Sequence, residues 1–99
     1  MDTPQPLKFE WDPHKAELNA KRHRGITFDE AATVFDDPVA QVHYDPDHSD
    51  NEDREIIVGL SNQNRPLLVS YTERRLGLIR IISARKLTPL ERTKYENET

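Results

Sequence analysis

The chain of 99 residues contains no cysteine, three glycines, one tryptophan, three tyrosines and three phenylalanines. Without cysteine there can be no disulfide, thiolate metal site or cysteine nucleophile. The glycines Gly25, Gly59 and Gly77 are widely separated, so no glycine-rich loop can cradle nucleotide phosphates. No apolar run approaches the roughly 18 residues of a membrane span, and Met1 to Lys8 lacks the basic and apolar regions of a signal peptide. These absences lead to the expectation of a soluble cytoplasmic protein without membrane contact. Ser49, Ser61, Ser70 and Ser83 lack the Gly-x-Ser-x-Gly surroundings of an activated serine. No two histidines stand four apart around a glutamate as in zinc proteases. Asp45, Asp47, Ser49 and Asp50 alternate like a calcium loop, with His48 as a further ligand. The pattern fails where position six is Asp50 and position twelve is Ile56. Asp45 to Asp53 therefore reads as a solvated acidic loop, and neither metal nor cofactor is expected.

Charge is abundant and unevenly placed. Residues 1–53 hold five Lys or Arg against thirteen Asp or Glu, a net −8. Residues 54–99 hold nine against five, a net +4, and seven of those nine are arginine. Arginine is a planar fork of donors that suits phosphate and stays protonated. Alternating charges that simply solvate strands and a helix are the ordinary reading of such a split; a local anion-binding face on an acidic protein is the functional one.

The apolar residues cluster as short elements of one domain over residues 1–99, with 1–6 expected to be flexible. Leu7, Phe9 and Trp11 alternate with charges as a half-buried strand. Asp12-Pro13 supplies an N-cap and first turn for a polar helix to about His23, ending before Gly25. Thr27 and Glu30 have the spacing of a capping box, followed by Phe28, Ala31, Ala32 and Phe35 on one helical face. Asp37-Pro38 stops that helix. Strands are expected at Val39–Tyr44, Glu55–Ser61, Leu67–Thr72 and Ile79–Arg85, the last three as a meander. A second capping box, Thr88-Pro89-Leu90-Glu91, opens a terminal helix to about Asn97. The order predicts an α+β fold: a small antiparallel sheet of four to five strands with two N-terminal helices and one C-terminal helix, all packed on one face. Strict alternation along the last strand puts Arg85 with Ile79, Ile81 and Ser83, and Arg80 with Ile82 and Ala84.

The segment Arg80 to Tyr95 is the richest in chemistry. Glu91 and Tyr95 are i, i+4 neighbours on the terminal helix, with Arg92 beside Tyr95. On spacing alone this is first an ordinary surface cluster of ion pairs; a carboxylate, a phenol and arginines near one strand end can also position a phosphodiester.

Beyond these local patterns stand the blocks Phe9-Glu10-Trp11-Asp12, Lys15, Asn19, Arg22-His23, Phe28-Asp29-Glu30-Ala31-Ala32 and Phe35-Asp36-Asp37-Pro38. They continue through Asp45-Pro46-Asp47-His48-Ser49, Glu52-Asp53-Arg54, Arg80 to Lys86, Glu91-Arg92 and Tyr95. In the order and spacing of these blocks, the chain resembles the BrnT toxin family. One departure stands out: the family usually runs Lys-His-Gly, whereas here Arg22 replaces the lysine and Arg24 separates His23 from Gly25. The resemblance implies a type II toxin related in fold to the RelE ribonucleases. It also implies a BrnA-like antitoxin with a ribbon-helix-helix DNA-binding domain, forming a heterotetramer.

Metal-free RNA cleavage needs a base for a ribose 2′-hydroxyl, stabilisation of a more negative transition state, and a proton for the leaving 5′-oxygen. On that reading Arg80 and Arg85 stabilise the developing charge, and Arg54, Arg74, Lys86 and Arg92 contact RNA. His23 transfers the proton, since a histidine ordinarily titrates near ~6.5, or it merely caps the first helix. Glu73 and Glu91 are alternative bases, and Tyr95 stacks on a base or orients the phosphate. The competing class is a non-enzymatic binding module that co-represses with a DNA-binding partner. Convergence of Arg80, Arg85 and Tyr95 on one open concave face favours the enzyme, and scatter among ion pairs favours the module.

Overall fold

A computed structural model describes residues 6–48 and 53–98. Most of the stretch expected to be flexible, and Ser49 and Asp50 of the calcium-like run, lie outside the described residues. The elements are β1 (Lys8–Glu10), α1 (Pro13–Arg22), α2 (Phe28–Thr33), β2 (Gln41–Tyr44), β3 (Glu55–Leu60), β4 (Pro66–Arg75), β5 (Leu78–Lys86) and α3 (Pro89–Glu98), with 3₁₀ turns at Val34–Asp36 and Pro46–His48. The α+β class and the order of elements follow the expectation.

The sheet runs β1-β5-β4-β3-β2. The pairs β2–β3, β3–β4 and β4–β5 are antiparallel, but β1 lies parallel to β5, with Phe9 opposite Ile79. The sheet is therefore mixed rather than wholly antiparallel. The chain between β1 and β5 is far longer than a hairpin turn, so nothing local forces the antiparallel sense.

Helices α1 and α2 cover one face. Ile57, Leu67, Val69, Tyr71, Ile79, Ile81 and Ala84 meet Ile26, Phe28, Ala31 and Val34 there as the buried core. Edge-to-face ring contacts extend it: Phe9 to Phe35 at 5.2 Å, Phe35 to Tyr71 at 5.0 Å and Trp11 to Phe28 at 5.9 Å between centroids, the arrangement ring quadrupoles favour. Burial pushes the Tyr71 phenol up to about 12, helped by Glu55 and Glu73.

The third helix departs from the expectation. Tyr95, Glu91 and Lys94 of α3 share a groove with Ile56, Val58 and Leu68, which alternate with the core residues and so point to the opposite face. Thus α3 covers the second face, and the helices are not all on one side. Apolar residues at alternate positions on both faces of β3 and β4 are the reason, because each face needs a cover.

A second departure lies within β5. Ser83 pairs with Ser70 and Ile81 with Tyr71, which leaves Ile82 with no residue opposite. This bulge shifts the alternation by one. Ile79, Ile81 and Ala84 all face the core, while Arg80, Ser83 and Arg85 share the other face. The separation of Arg80 from Arg85 expected from strict alternation is corrected accordingly.

The caps also divide. Asp12 accepts from the His14 N–H at 2.8 Å and Thr27 from the Glu30 N–H at 3.0 Å. The reciprocal arm of the first capping box is absent, because the Glu30 carboxylate turns inward. There, 3% exposed, it accepts from the Ser61 hydroxyl at 2.6 Å and is forked by Arg65, whose Nε donates at 2.9 Å. The Arg65 guanidinium holds that carboxyl below its ordinary range against the opposing effect of burial. The second box is complete: the Glu91 N–H donates to the Thr88 hydroxyl at 3.2 Å, and the Thr88 N–H to Glu91 Oε1 at 2.8 Å.

Candidate functional site

Strand β1 covers only Leu78 to Arg80 of β5. Farther along that edge, a side chain replaces the missing strand. Asn19 of α1, 6% exposed, donates through Nδ2 to the Ala84 carbonyl at 2.9 Å and accepts the Ala84 N–H at 3.0 Å. Its amide also donates to the Ile26 carbonyl at 3.1 Å. A primary amide presents the same donor and acceptor as a peptide unit, so it continues the ladder where the neighbouring backbone stops. The C-terminal turn of α1 is thereby fixed against the bulged part of β5.

That turn ends in a Schellman-type motif. His23 is the C-cap, with its N–H bonded to the Asn19 carbonyl at 2.9 Å, and the Gly25 N–H reaches the Ala20 carbonyl at 2.7 Å. The left-handed position usually given to glycine is held by Arg24, at φ +53°, with Gly25 following at φ +83°. The helix does end before Gly25, as the sequence implied, but with Arg24 as the capping residue.

Between this turn and the sheet lie two adjoining hollows. One, of about 370 Å³, is lined by Lys15, Leu18, Asn19, Arg22, His23, Arg54, Ile82 and Ser83. The other is lined by Arg22, His23, Arg24, Arg85, Lys86, Leu87 and Thr88. Arg22 and His23 belong to both and form the saddle between them. Six cationic side chains and one histidine line the combined groove, and among the described residues no carboxylate does. Arg54 immediately precedes β3 and reaches the groove across β4.

The sequence-derived candidates separate in space. His23, Arg54, Arg85 and Lys86 come together in the groove. Arg85 makes a fork with Glu91, at 2.7 and 3.0 Å. The Arg85 guanidinium holds the Glu91 carboxyl down at about 2, with the Thr88 backbone N–H assisting, and Glu91 in turn raises Arg85. A carboxylate held ionised in this way is a weak proton acceptor. Arg80 faces the same side of the sheet but bonds Glu10 at 2.5 Å. Tyr95 is buried, 8% exposed, in the groove under α3 with His43 and Ile56; burial raises its phenol, with Asp37 contributing. Arg80, Arg85 and Tyr95 therefore do not converge; both arginines sit in ion pairs, the outcome that favours the binding module, and these three residues lend the enzyme no support.

Glu73 accepts from the Gly77 N–H at 3.0 Å at the β4–β5 turn. Glu73 pairs with Ile79, six residues from Arg85, or about 20 Å along a strand. The exposed Arg74 is next to it. Arg92 bonds Glu96 at 3.1 Å and borders a separate hollow with Asn64, Arg65 and Lys86.

Lys15, Arg22 and Arg24 complete the groove although sequence reasoning assigned them no role. The signal was present for two of them: Lys15, Asn19 and Arg22 are spaced four and three apart, on one face of α1. Among the described residues no three His, Asp or Glu side chains cluster as metal ligands, and no helix is long and apolar enough to cross a membrane.

No curated protein matches the chain. Among solved structures, it is similar to the 1.1 Å crystal structure of the Brucella abortus ribonuclease toxin BrnT. The TM-score is 0.63 at 20% identity, over 83% of this chain and 97% of that one. At that identity the likeness establishes the course of the backbone. A family model described as "Ribonuclease toxin, BrnT, of type II toxin-antitoxin system" matches residues 11–91. With the greater part of its length matched in this way, the chain belongs to the BrnT family of ribonuclease toxins of type II toxin–antitoxin systems.

Proposed function

We propose that the chain cleaves RNA internally, without a metal ion, in the groove between α1 and β5, and that a BrnA-like ribbon-helix-helix antitoxin silences it by covering that groove. The observation that carries this reading is the lining: Lys15, Arg22, Arg24, Arg54, Arg85 and Lys86 surround His23. On a chain of net charge −4, so local a cationic surface selects and steers a polyanion.

The 2′-hydroxyl oxygen attacks the adjacent phosphorus as its proton leaves to a base. The phosphorus–O5′ bond breaks, and the 5′-oxygen takes up a proton. The products are a 2′,3′-cyclic phosphate and a 5′-hydroxyl. Arg54, with Lys15 and Arg22, bears the charge growing on the non-bridging oxygens, which fixed cations stabilise without titrating. His23 moves the proton, a role in which Glu91 is handicapped by its fork with Arg85. Acidic side chains of the antitoxin are suited to the same cations, so opposite potentials speed the encounter.

The test is incubation of purified protein with end-labelled RNA in excess chelator. Cyclic-phosphate products are expected, with His23→Ala slower by about 10²–10⁴-fold and Arg54→Ala slower by a comparable factor. Loss of activity in chelator with rescue by one metal defeats the metal-free reading. Wild-type rates in both variants defeat the assignment to the groove.

A further inference from the structure

Arg24 stands between His23 and Gly25, and the structure gives it an unusual place. It occupies the left-handed C′ position of α1 at φ +53°, where a Cβ is disfavoured and glycine is the ordinary occupant. Local stability therefore does not account for an arginine there. Its side chain lines the second hollow, beside Arg85 and Lys86. Arg85 is already matched by the Glu91 carboxylate, which leaves Arg24 and Lys86, with Arg22 at the saddle, as the cations facing a ligand in that hollow. Because the two hollows meet at Arg22 and His23, a strand whose reacting phosphate lies by Arg54 and that runs on over this saddle enters the hollow that Arg24 lines.

Resting on the reading of the groove as the RNA site, we infer that Arg24 is a substrate-binding residue for the phosphodiester adjacent to the scissile one. The second hollow is thus a subsite that makes the protein favour a strand continuing past the cleavage point over a dinucleotide. Arg24 takes no part in proton transfer. It acts by charge and hydrogen bonding on a neighbouring linkage, at the saddle where the chain leaves α1.

The experiment uses the full chain and the variant Arg24→Gly, which removes the guanidinium and puts the favoured residue at that φ. The substrates are DNA strands with one ribose at the cleavage point and a single uncharged methylphosphonate moved along successive linkages. A fully 2′-O-methylated strand, which cannot be cleaved, reports binding alone. Arg24→Gly should lower kcat/KM and affinity for the fully charged strand by about tenfold, the scale of one charged hydrogen bond, with its melting temperature equal or higher. At one linkage beside the scissile phosphate, the methylphosphonate should bring the wild type down to the variant and leave the variant unchanged. Equal behaviour of both proteins on the charged strand overturns the inference, as does a deficit persisting at every methylphosphonate position. If the wild type cleaves nothing yet loss of binding in Arg24→Gly tracks one linkage, the subsite stands and the nuclease reading falls.

Discussion

Replacing Asn19 by alanine should both weaken the fold and disorganise the groove, because one amide ties α1 to β5. The substitution removes three hydrogen bonds of 2.9 to 3.1 Å. It leaves the N–H and carbonyl of Ala84 and the carbonyl of Ile26 without that partner, beside a side chain that was 6% exposed. Each unsatisfied buried group costs about 1–3 kcal/mol, and water entering from the neighbouring groove recovers part of that. A net loss of about 3 kcal/mol is expected, and a drop in melting temperature of about 12–24 °C for a domain of this size. Urea unfolding followed by fluorescence of Trp11, the single tryptophan, measures it directly. Asn19→Asp sharpens the test. Its ionised oxygens face two carbonyls instead of donating to them, so it should be worse than alanine near neutral pH and improve as acid protonates it. A loss under about 1 kcal/mol in Asn19→Ala, or an aspartate tolerated at neutral pH as well as asparagine, refutes the assignment of this amide as the substitute strand.

Gly59→Ala should cost about 1–3 kcal/mol by overpacking, since an added Cβ lies 2.8 Å from Asp37 Oδ2, 2.9 Å from Ala40 Cβ and 3.2 Å from Val34 Cγ1; chemical denaturation reads this. Arg65→Ala should destabilise by more than about 2 kcal/mol at neutral pH, because it strands the buried Glu30 carboxylate. Glu30 has a lowered folded-state value, so the pair's contribution is present above the ordinary carboxylate range and fades as acid protonates Glu30. The difference between wild type and Arg65→Ala should therefore shrink with falling pH. Glu91→Gln should lose about 1 kcal/mol at neutral pH, a modest figure because the fork with Arg85 is about a third open to water. With Glu91 lowered from 4.5 to about 2, that margin is complete above about pH 4.5 and disappears as pH falls through 2, which acid titration of both proteins checks.

What was legible in the sequence was what local rules decide. Asp12-Pro13, Thr27 and Thr88-Glu91 mark helix starts with groups that bond their own turns, and the apolar runs at Ile56, Leu67 and Ile79 mark strands by composition alone. What stayed hidden depends on distant partners. Nothing near Phe9 specifies a parallel partner in Ile79, and no glycine or proline announces the bulge at Ile82, so strict alternation placed Arg80 and Arg85 on different faces. The spacing of Thr27 and Glu30 fitted a capping box, but Arg65 and Ser61 compete successfully for the carboxylate. In the site, His23, Arg54, Arg85 and Lys86 were recognised as candidates. Tyr95 and Glu73 were grouped with them for their chemistry, although one packs under α3 and the other ends a hairpin at the far end of β5.

The stitching of Asn19 to Ala84 has a consequence for when the molecule becomes dangerous. A ribosome makes Asn19 65 residues ahead of the Ala84 backbone that it bonds on the opposite wall of the groove. Until Ala84 has left the exit tunnel, Asn19 has no backbone to bond, and His23 and Arg22 belong to a short, polar, unsupported helix that is marginal in water. A contact spanning 65 residues thus works as a timer: a nascent chain whose β5 is still in the tunnel holds the cations of α1 without the groove that unites them with Arg85 and Lys86. The groove takes shape only once β5 has been made, however early the residues of α1 emerge.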